Sequence, residues 1–397
     1  MPYLDILRVF LRLGLTSFGG PVAHIGYFRE EFVARRAWVS DSQFAHWLAI
    51  SQAMPGPASS QMGFLIGLHR GGLVGALIAW AGFTLPSALA LVLVALYGLA
   101  HQAGWFELIV DGLKLVAVAV VAQAVIGMFR SLCTDTVTRV LSVVGFGLAL
   151  GLGGWAGQVG AIAAGGIAGW FVCQRPGESA DGSAASRLAP DHSPTRLTGA
   201  LMLMALAVLL FVVPWFAAHT PMLQMFDAFF RAGALVFGGG HVVLPLLESA
   251  TVTPGLVSSE DFLTGYGLAQ AVPGPLFTFA AWLGALDPTW PGWSGAVLAL
   301  VAIFVPGLVL IVGVLPWWQS FARRPKAFGM LAGINASVVG VLAAAWVDPV
   351  LMTSVSSVIY GLIALFGAAL LLWRKLPVWC VVLILPALTL LGDKFQL

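Results

Sequence analysis

Apolar positions in this chain run in long unbroken blocks. Residues 73–99 carry no formal charge, and neither do residues 350–372, which follow Asp348 and Pro349. The blocks show neither the period-two alternation of a half-buried strand nor a narrow helical stripe. They are apolar all round and about 20 residues long, the pattern of helices that cross a hydrocarbon core ~30 Å thick. Full spans are predicted at about 73–99, 106–128, 140–155 and 156–173, then at 294–316, 327–347, 350–372 and 376–393, with one more at 197–217.

Other apolar stretches are broken by glycine and proline. Phe18-Gly19-Gly20 returns as Phe237-Gly238-Gly239, and "SQAMPGP" from Ser51 returns as "AQAVPGP" from Ala269. "FTLPS" around Pro86 pairs with "IFVPG" around Pro306, and "DGLKLVAVAVV" from Asp111 with "AGINASVVGVL" from Ala332. The offsets are 219, 218, 220 and 221, so the landmarks recur in order and the chain reads as a tandem duplication. Residues 174–196, rich in Ser, Ala, Pro, Gly and charge, read as a flexible cytoplasmic linker between the halves. The expected organisation is a first repeat over 1–173, that linker, a joining helix over 197–217, and a second repeat over 218–397.

Charge adds orientation. The stretch after the first FGG holds Arg29, Arg35 and Arg36, whereas its counterpart holds Glu248, Glu260 and Asp261. The later loop at 317–327 has Arg323, Arg324 and Lys326, while its partner at 100–111 has no basic residue. Short cytoplasmic loops retain Lys and Arg, so the two asymmetries predict repeats of inverted topology. An odd number of crossings must then separate residues 29–42 from 100–111. That makes 43–68, with Pro55-Gly56-Pro57 at its middle, a hairpin that enters and returns, and the same holds for 262–286. The FGG stretches, 3–34 and 225–247, become broken hairpins by the same count. The fold class is therefore an all-α polytopic membrane protein with two inverted repeats, about nine full spans and broken, re-entrant half-helices.

Composition agrees. Of 397 residues, 59% are hydrophobic and 9% charged, against about 25% charged in soluble domains, and the mean hydropathy is +0.95. A net charge of +2 offers no footprint for nucleic acid. The N-terminus is interrupted by Asp5, Arg8 and Arg12 with no small-residue cleavage site after it, so it is expected to stay in the mature protein. Cys133, Cys173 and Cys380 are scattered and read as buried inert thiols, not as a disulfide or metal set.

Backbone that leaves helical geometry at membrane depth must be packed in protein or line a cavity. A half-helix that starts there presents unpaired N–H groups and the positive end of its dipole, which suits an anion. Candidate substrate-binding residues are Gly19, Gly20 and Pro21 with Pro55, Gly56 and Pro57, and in the second half Gly238, Gly239 and Gly240 with Pro273, Gly274 and Pro275. Neutral donors beside them are Gln52, Ser59, Ser60, Gln270 and Thr278, and His241 follows the second FGG. Lys114, an intramembrane cation, is either a counter-ion or snorkels to the outer interface, and Asn335 takes its place in the other repeat. His24 aligns with Val243, not with His241, and reads as a satisfied buried histidine. Glu30, Glu31 and Glu248 read as lining the water interface. No catalytic residues, metal or cofactor are expected, since HExxH, GxSxG and any close His/Asp/Glu set are missing from the sequence.

"FGGP" with "SQAMPGP", and "FGGGHVVLPLLE" with "AQAVPGP", over nearly the whole length, resemble the chromate ion transporter family in its long, two-domain form. That resemblance implies efflux of chromate across the bacterial inner membrane, and its motif glycines and prolines fall on the twelve Gly and Pro positions just named. In the second copy Gly240 replaces Pro21. The residues by themselves imply an inverted-repeat transporter with a midplane site for a small polar, anionic solute. Sulfate has nearly the same charge and shape as chromate, and an anion channel of the same architecture is the alternative. Expected partners are the oxyanion and the lipid bilayer, with a homodimer left open and nucleic acid not expected.

Overall fold

The computed structural model describes residues 2–98, 104–173, 189–217, 219–322, 324–373 and 376–394. Most of the linker, residues 174–188, lies outside the described residues. Helices account for the chain, and no strand occurs among the described residues. In the first half α1 (Pro2–Thr16), α2 (Gly20–Phe28), α3 (Asp41–Ala53) and α4 (Ala58–Leu93) are followed by α5 (Gly104–Leu132), α6 (Thr136–Leu152) and α7 (Gly154–Val172). After α8 (Arg196–Phe211), the second half has α9 (Pro221–Ala234), α10 (Val243–Thr251), α11 (Ser259–Ala271) and α12 (Phe279–Leu286), then α13 (Gly292–Val314), α14 (Pro325–Ala345), α15 (Val358–Leu372) and α16 (Val378–Lys394). Among the described residues, six helices are long and apolar enough to cross a membrane.

The outside of the bundle is as apolar as its inside. In α4, Leu73, Leu77, Leu85, Leu89 and Leu93 are exposed, whereas Ala76, Ala79, Phe83, Ala88 and Leu91 are buried. A soluble surface does not expose leucines in such a row, so this stripe faces lipid. With lipid as apolar as leucine, helices associate through close packing of small residues. α14 lies against α6 and α7 in this way: a Cβ on Gly165 would meet the Gly333 carbonyl at 2.6 Å, and one on Gly145 the Ser337 carbonyl at 2.5 Å. α5, which holds the place of α14 in the first half, is packed in turn by α15 and α16 of the second. Each half thus clasps the other's central span with its own last two helices.

The broken segments fold back on themselves. α1 and α2 pack antiparallel, with Phe10 5.9 Å from Phe28 and the Asp5–Arg36 ion pair at 3.2 Å closing their foot. α3 returns through the first arm of α4, so that Trp47 meets His69 at 5.3 Å. α4 reverses again at Gly71 and Gly72, where φ of +62° at Gly72 needs glycine. α11 and α12 make the matching hairpin, the Trp282 indole N–H donating to the Asp261 carbonyl at 3.0 Å. The hairpins predicted at 43–68 and 262–286 are therefore present, from Asp41 and from Ser259 respectively.

Charged groups gather at two ends. One holds Asp5, Arg29, Arg36 and Asp41, with Arg70 over Trp38 and His69 against Asp191 of the linker. The other holds Lys114, Asp111, Glu260 and Tyr360. Glu31 departs from the sequence expectation: it is buried, not at the water interface, because Arg35 at 2.9 Å and Arg36 at 2.6 Å enclose its carboxylate. Of the cysteines, Cys133 alone is buried, and Cys173 and Cys380 are half-buried.

Burial alone would raise the Glu31 carboxyl, but the Arg36 and Arg35 guanidiniums outweigh it and hold it below the usual carboxylate value. A depressed folded value means that this stabilisation is present above the ordinary carboxylate range and is lost as pH falls through the folded value. Hydrogen exchange of the 29–42 turn is expected to quicken in the wild type on such acidification. In Glu31→Gln exchange should be fast already at neutral pH, with no acid step.

Candidate functional site

Each FGG break is a left-handed turn that other residues adopt only under strain. φ is +101° at Gly19 and +75° at Gly20, and +77° at Gly238 and +144° at Gly239. Both PGP glycines are alike, with +121° at Gly56 and +111° at Gly274. These turns let the chain restart as α2, α4, α10 and α12 with the N-terminus of each at the break.

The two kinds of break are tied across the halves. Gly56 N–H donates to the Val236 carbonyl at 2.7 Å, and Gly274 N–H donates to the Ser17 carbonyl at 3.0 Å. Val236 and Ser17 each stand two residues before their FGG glycines, so the bonds are the same contact made twice. Packing repeats it: a Cβ on Gly56 would meet Gly307 Cα at 3.0 Å, just after the helix proline Pro306, and one on Gly274 would meet Ser87 Oγ at 2.7 Å, just after Pro86. The four landmarks read as separate motifs are one centre.

Pro21 and Gly240 meet there. A Cβ on Gly240 would lie 3.3 Å from Pro21 Cγ, so the two equivalent positions face one another and a second proline ring would collide with the first. The replacement of Pro21 by Gly240 between the copies has this steric cause.

Six helix starts away from the breaks carry side-chain caps, with Ser40, Asp135, Thr195, Thr220, Ser258 and Ser357 each accepting a backbone N–H, whereas α7, α13 and α14 start without one. None of the four starts at the breaks has one. Their N–H groups stay available in a water-poor interior, while two of the carbonyls that end the preceding helices are taken by Gly56 and Gly274. Uncapped helix starts of this kind suit an anion without a formal charge.

A narrow cleft opens here, lined by Gly19, Gly20, Pro21, His241, Gln270 and Gly274 among others. Gln270 Nε2 is buried with no hydrogen-bond partner, a free donor at its wall. Ser60 Oγ and Asn335 Oδ1 are also buried and unpartnered, and Asn335 lies by Gly238, 3.6 Å from where its Cβ would be.

Other predicted residues are spent elsewhere. Thr278 Oγ1 donates to the Pro275 carbonyl at 2.8 Å. Ser59 lies 3.3 Å from His24 Nδ1, and His24 Nε2 lies 3.2 Å from the Ser17 carbonyl. A carbonyl only accepts, so Nε2 carries the proton and Nδ1 accepts from Ser59; His24 is the satisfied buried histidine expected. Gln52 is exposed and does not line the cleft. Lys114 is held by Asp111 at 3.0 Å and Glu260 at 2.8 Å, at a hairpin foot instead of the cleft. Pro55 takes part through its carbonyl, which accepts from Gln61 Nε2 at 2.8 Å, and Gln61 reaches the Gly307 carbonyl of the other half at 3.0 Å. Pro57 and Pro275 are the residues immediately before the restarting helices, and Pro273 opens the second break.

Ser17 and Val236 were not among the predicted residues. Their repeated position before each FGG was the available signal, but neither side-chain chemistry drew notice, since it is their carbonyls that act.

A duplicated, lipid-faced helix bundle whose breaks meet at uncapped helix starts defines a multi-pass membrane transport protein. The chromate transporter family model matches residues 4–170 and again 223–391. The chain belongs to that family, whose members are transport proteins and not enzymes. It is 28% identical to a probable chromate transport protein of Synechococcus elongatus over 382 residues, 94% of this chain and 91% of that one. It is 28% identical to the chromate transport protein of Pseudomonas aeruginosa over 385 residues, covering 93% and 86% respectively. The uncharacterized transporter YwrA of Bacillus subtilis matches 149 residues at 37% identity, 34% of this chain and 82% of its own, as one copy of the repeat would. No solved structure matches the chain.

Proposed function

We propose that this chain is a secondary transporter that exports chromate from the bacterial cytoplasm across the inner membrane by alternating access. The observation that carries this reading is the matched pair of bonds, Gly56 to Val236 and Gly274 to Ser17, which joins both halves at their breaks around the cleft. A tetrahedral dianion in that cleft accepts hydrogen bonds from Gln270 Nε2 and from the N–H groups that begin α2 and precede α10. Charge-assisted bonds of this kind are the strong ones. Lys114 is left out of the site, because Asp111 and Glu260 already neutralise it; the counter-charge comes from the helix ends.

The halves, 1–173 and 218–397, are read as inverted copies joined by the 197–217 helix. In support, the hairpin foot at Asp41 belongs to the arginine-rich end with linker residue Asp191, while the equivalent foot at Glu260 belongs to the Lys114 end. Rocking of one copy against the other then exposes the central cleft to each side in turn. Export of a dianion is favoured by an inside-negative potential, at about 2.3 kcal/mol per charge per 100 mV.

Everted membrane vesicles test the transporter reading. Energised vesicles containing the protein are expected to accumulate chromate above its external concentration, and a protonophore with a potassium ionophore should abolish the accumulation. Equilibration that never exceeds the external level, unchanged by the ionophores, would identify a channel instead.

A further inference from the structure

Resting on that reading of the cleft, one buried pair sets what the cleft will accept. His241 lines it, and its Nδ1 lies 2.8 Å from the hydroxyl of Tyr266. Tyr266 is fully buried, and its hydroxyl has no other partner among the described residues. The phenolic hydrogen therefore has one acceptor in reach, His241 Nδ1. A neutral imidazole that accepts at Nδ1 carries its proton at Nε2, so His241 is presented to the cleft as a donor. The first half has nothing comparable: by the repeat offsets its equivalent residues are Val22 and Leu48.

We propose that Tyr266 is a specificity-determining residue, which locks His241 as a donor and so admits tetrahedral oxyanions without a proton while rejecting those that keep an O–H. The other side chain with polar atoms lining the cleft is Gln270, and no Asp or Glu lines it. A fully ionised oxyanion needs only donors, and Gln270 and His241 supply them. Hydrogen phosphate or hydrogen arsenate brings a donor of its own, which is left unpaired where it meets the His241 N–H and has Gln270 Oε1 as its one side-chain acceptor among the lining residues. A buried polar group without a partner is the strongest basis for rejecting an otherwise similar ligand. Removing the tyrosine hydroxyl frees His241 to take either tautomer, and in one of them Nε2 accepts.

The test is chromate uptake into everted vesicles at mildly alkaline pH, where phosphate is a dianion like chromate and charge does not distinguish them. Wild-type uptake should be unaffected by a large excess of phosphate or arsenate. Tyr266→Phe, at equal membrane level, should make uptake sensitive to phosphate while changing the chromate KM little, because His241 still reaches the tautomer that donates. His241→Gln should abolish the effect of the tyrosine change, so that the double variant matches His241→Gln alone, because Tyr266 acts through His241. Phosphate inhibition of the wild type, or a Tyr266→Phe variant as insensitive to phosphate as the wild type, overturns the proposal while leaving chromate transport standing. Effects of the two changes that simply add also overturn it, since they assign Tyr266 a packing role. No chromate uptake by the wild type overturns the reading of the cleft and this proposal together.

Discussion

Gly56→Ala is expected to abolish chromate transport, and Gly274→Ala to do the same, although neither residue has a side chain to lose. At φ of +121° and +111° an alanine adopts a sparsely populated conformation, at about 1–3 kcal/mol. Its methyl group at position 56 would also stand 2.7 Å from Gln61 Nε2 and 3.0 Å from Gly307 Cα. The amide side chain can swing away, but the Gly307 backbone belongs to α13 and cannot. Relief requires moving Gly56 off the Val236 carbonyl, which breaks one of the two matched backbone bonds between the halves. Loss of resistance to chromate in a sensitive host, with the protein still inserted in the membrane, is the expected readout. A Gly56→Ala strain as resistant as wild type would show that the crosslink is dispensable.

The second large effect comes from a place where the copies differ inside the centre. Gly240→Pro puts a second ring against Pro21, whose Cγ is already 3.3 Å from the site of the new Cβ. Transport should fall below about a tenth of wild type, because overpacking at a tightly packed contact costs ~1–3 kcal/mol and the strain sits at the cleft wall. Proline itself suits the first position of a helical turn, so the residue type is not at fault. Combining Gly240→Pro with Pro21→Gly transfers the proline to the other copy and should restore most of the activity. A double variant as inactive as the single one would mean that the two positions are not interchangeable.

Much of this centre was legible as repetition. Matched offsets identified the FGG and PGP breaks and the helix prolines, since a turn that demands positive φ leaves a glycine in each copy. The hairpins followed from charge counting, and α3 with the first arm of α4 does fold back. What could not be read was which landmark touches which. The bonds from Gly56 to Val236 and from Gly274 to Ser17 run between halves and use backbone atoms, so side-chain identity carries no trace of them. Gln52 and Gln270 looked equivalent, yet one is exposed and the other lines the cleft, because the two copies are packed by different neighbours. Lys114 was visible as an unusual intramembrane charge, but its partner Glu260 stands 146 residues away. Tyr266 gave no sign at all, its repeat equivalent being Leu48.

The central claim is that chromate is held at the meeting point of the breaks, and Gln270 tests it with the least disturbance to the fold. Its Nε2 is buried at the cleft without a partner, so leucine removes a donor while nearly keeping the volume. The measurement is the chromate KM of Gln270→Leu in everted vesicles, with membrane levels matched to wild type. A KM raised by roughly 10- to 100-fold, the value of one lost bond to a charged ligand, is the predicted result. A KM equal to that of the wild type would contradict a chromate site in this cleft.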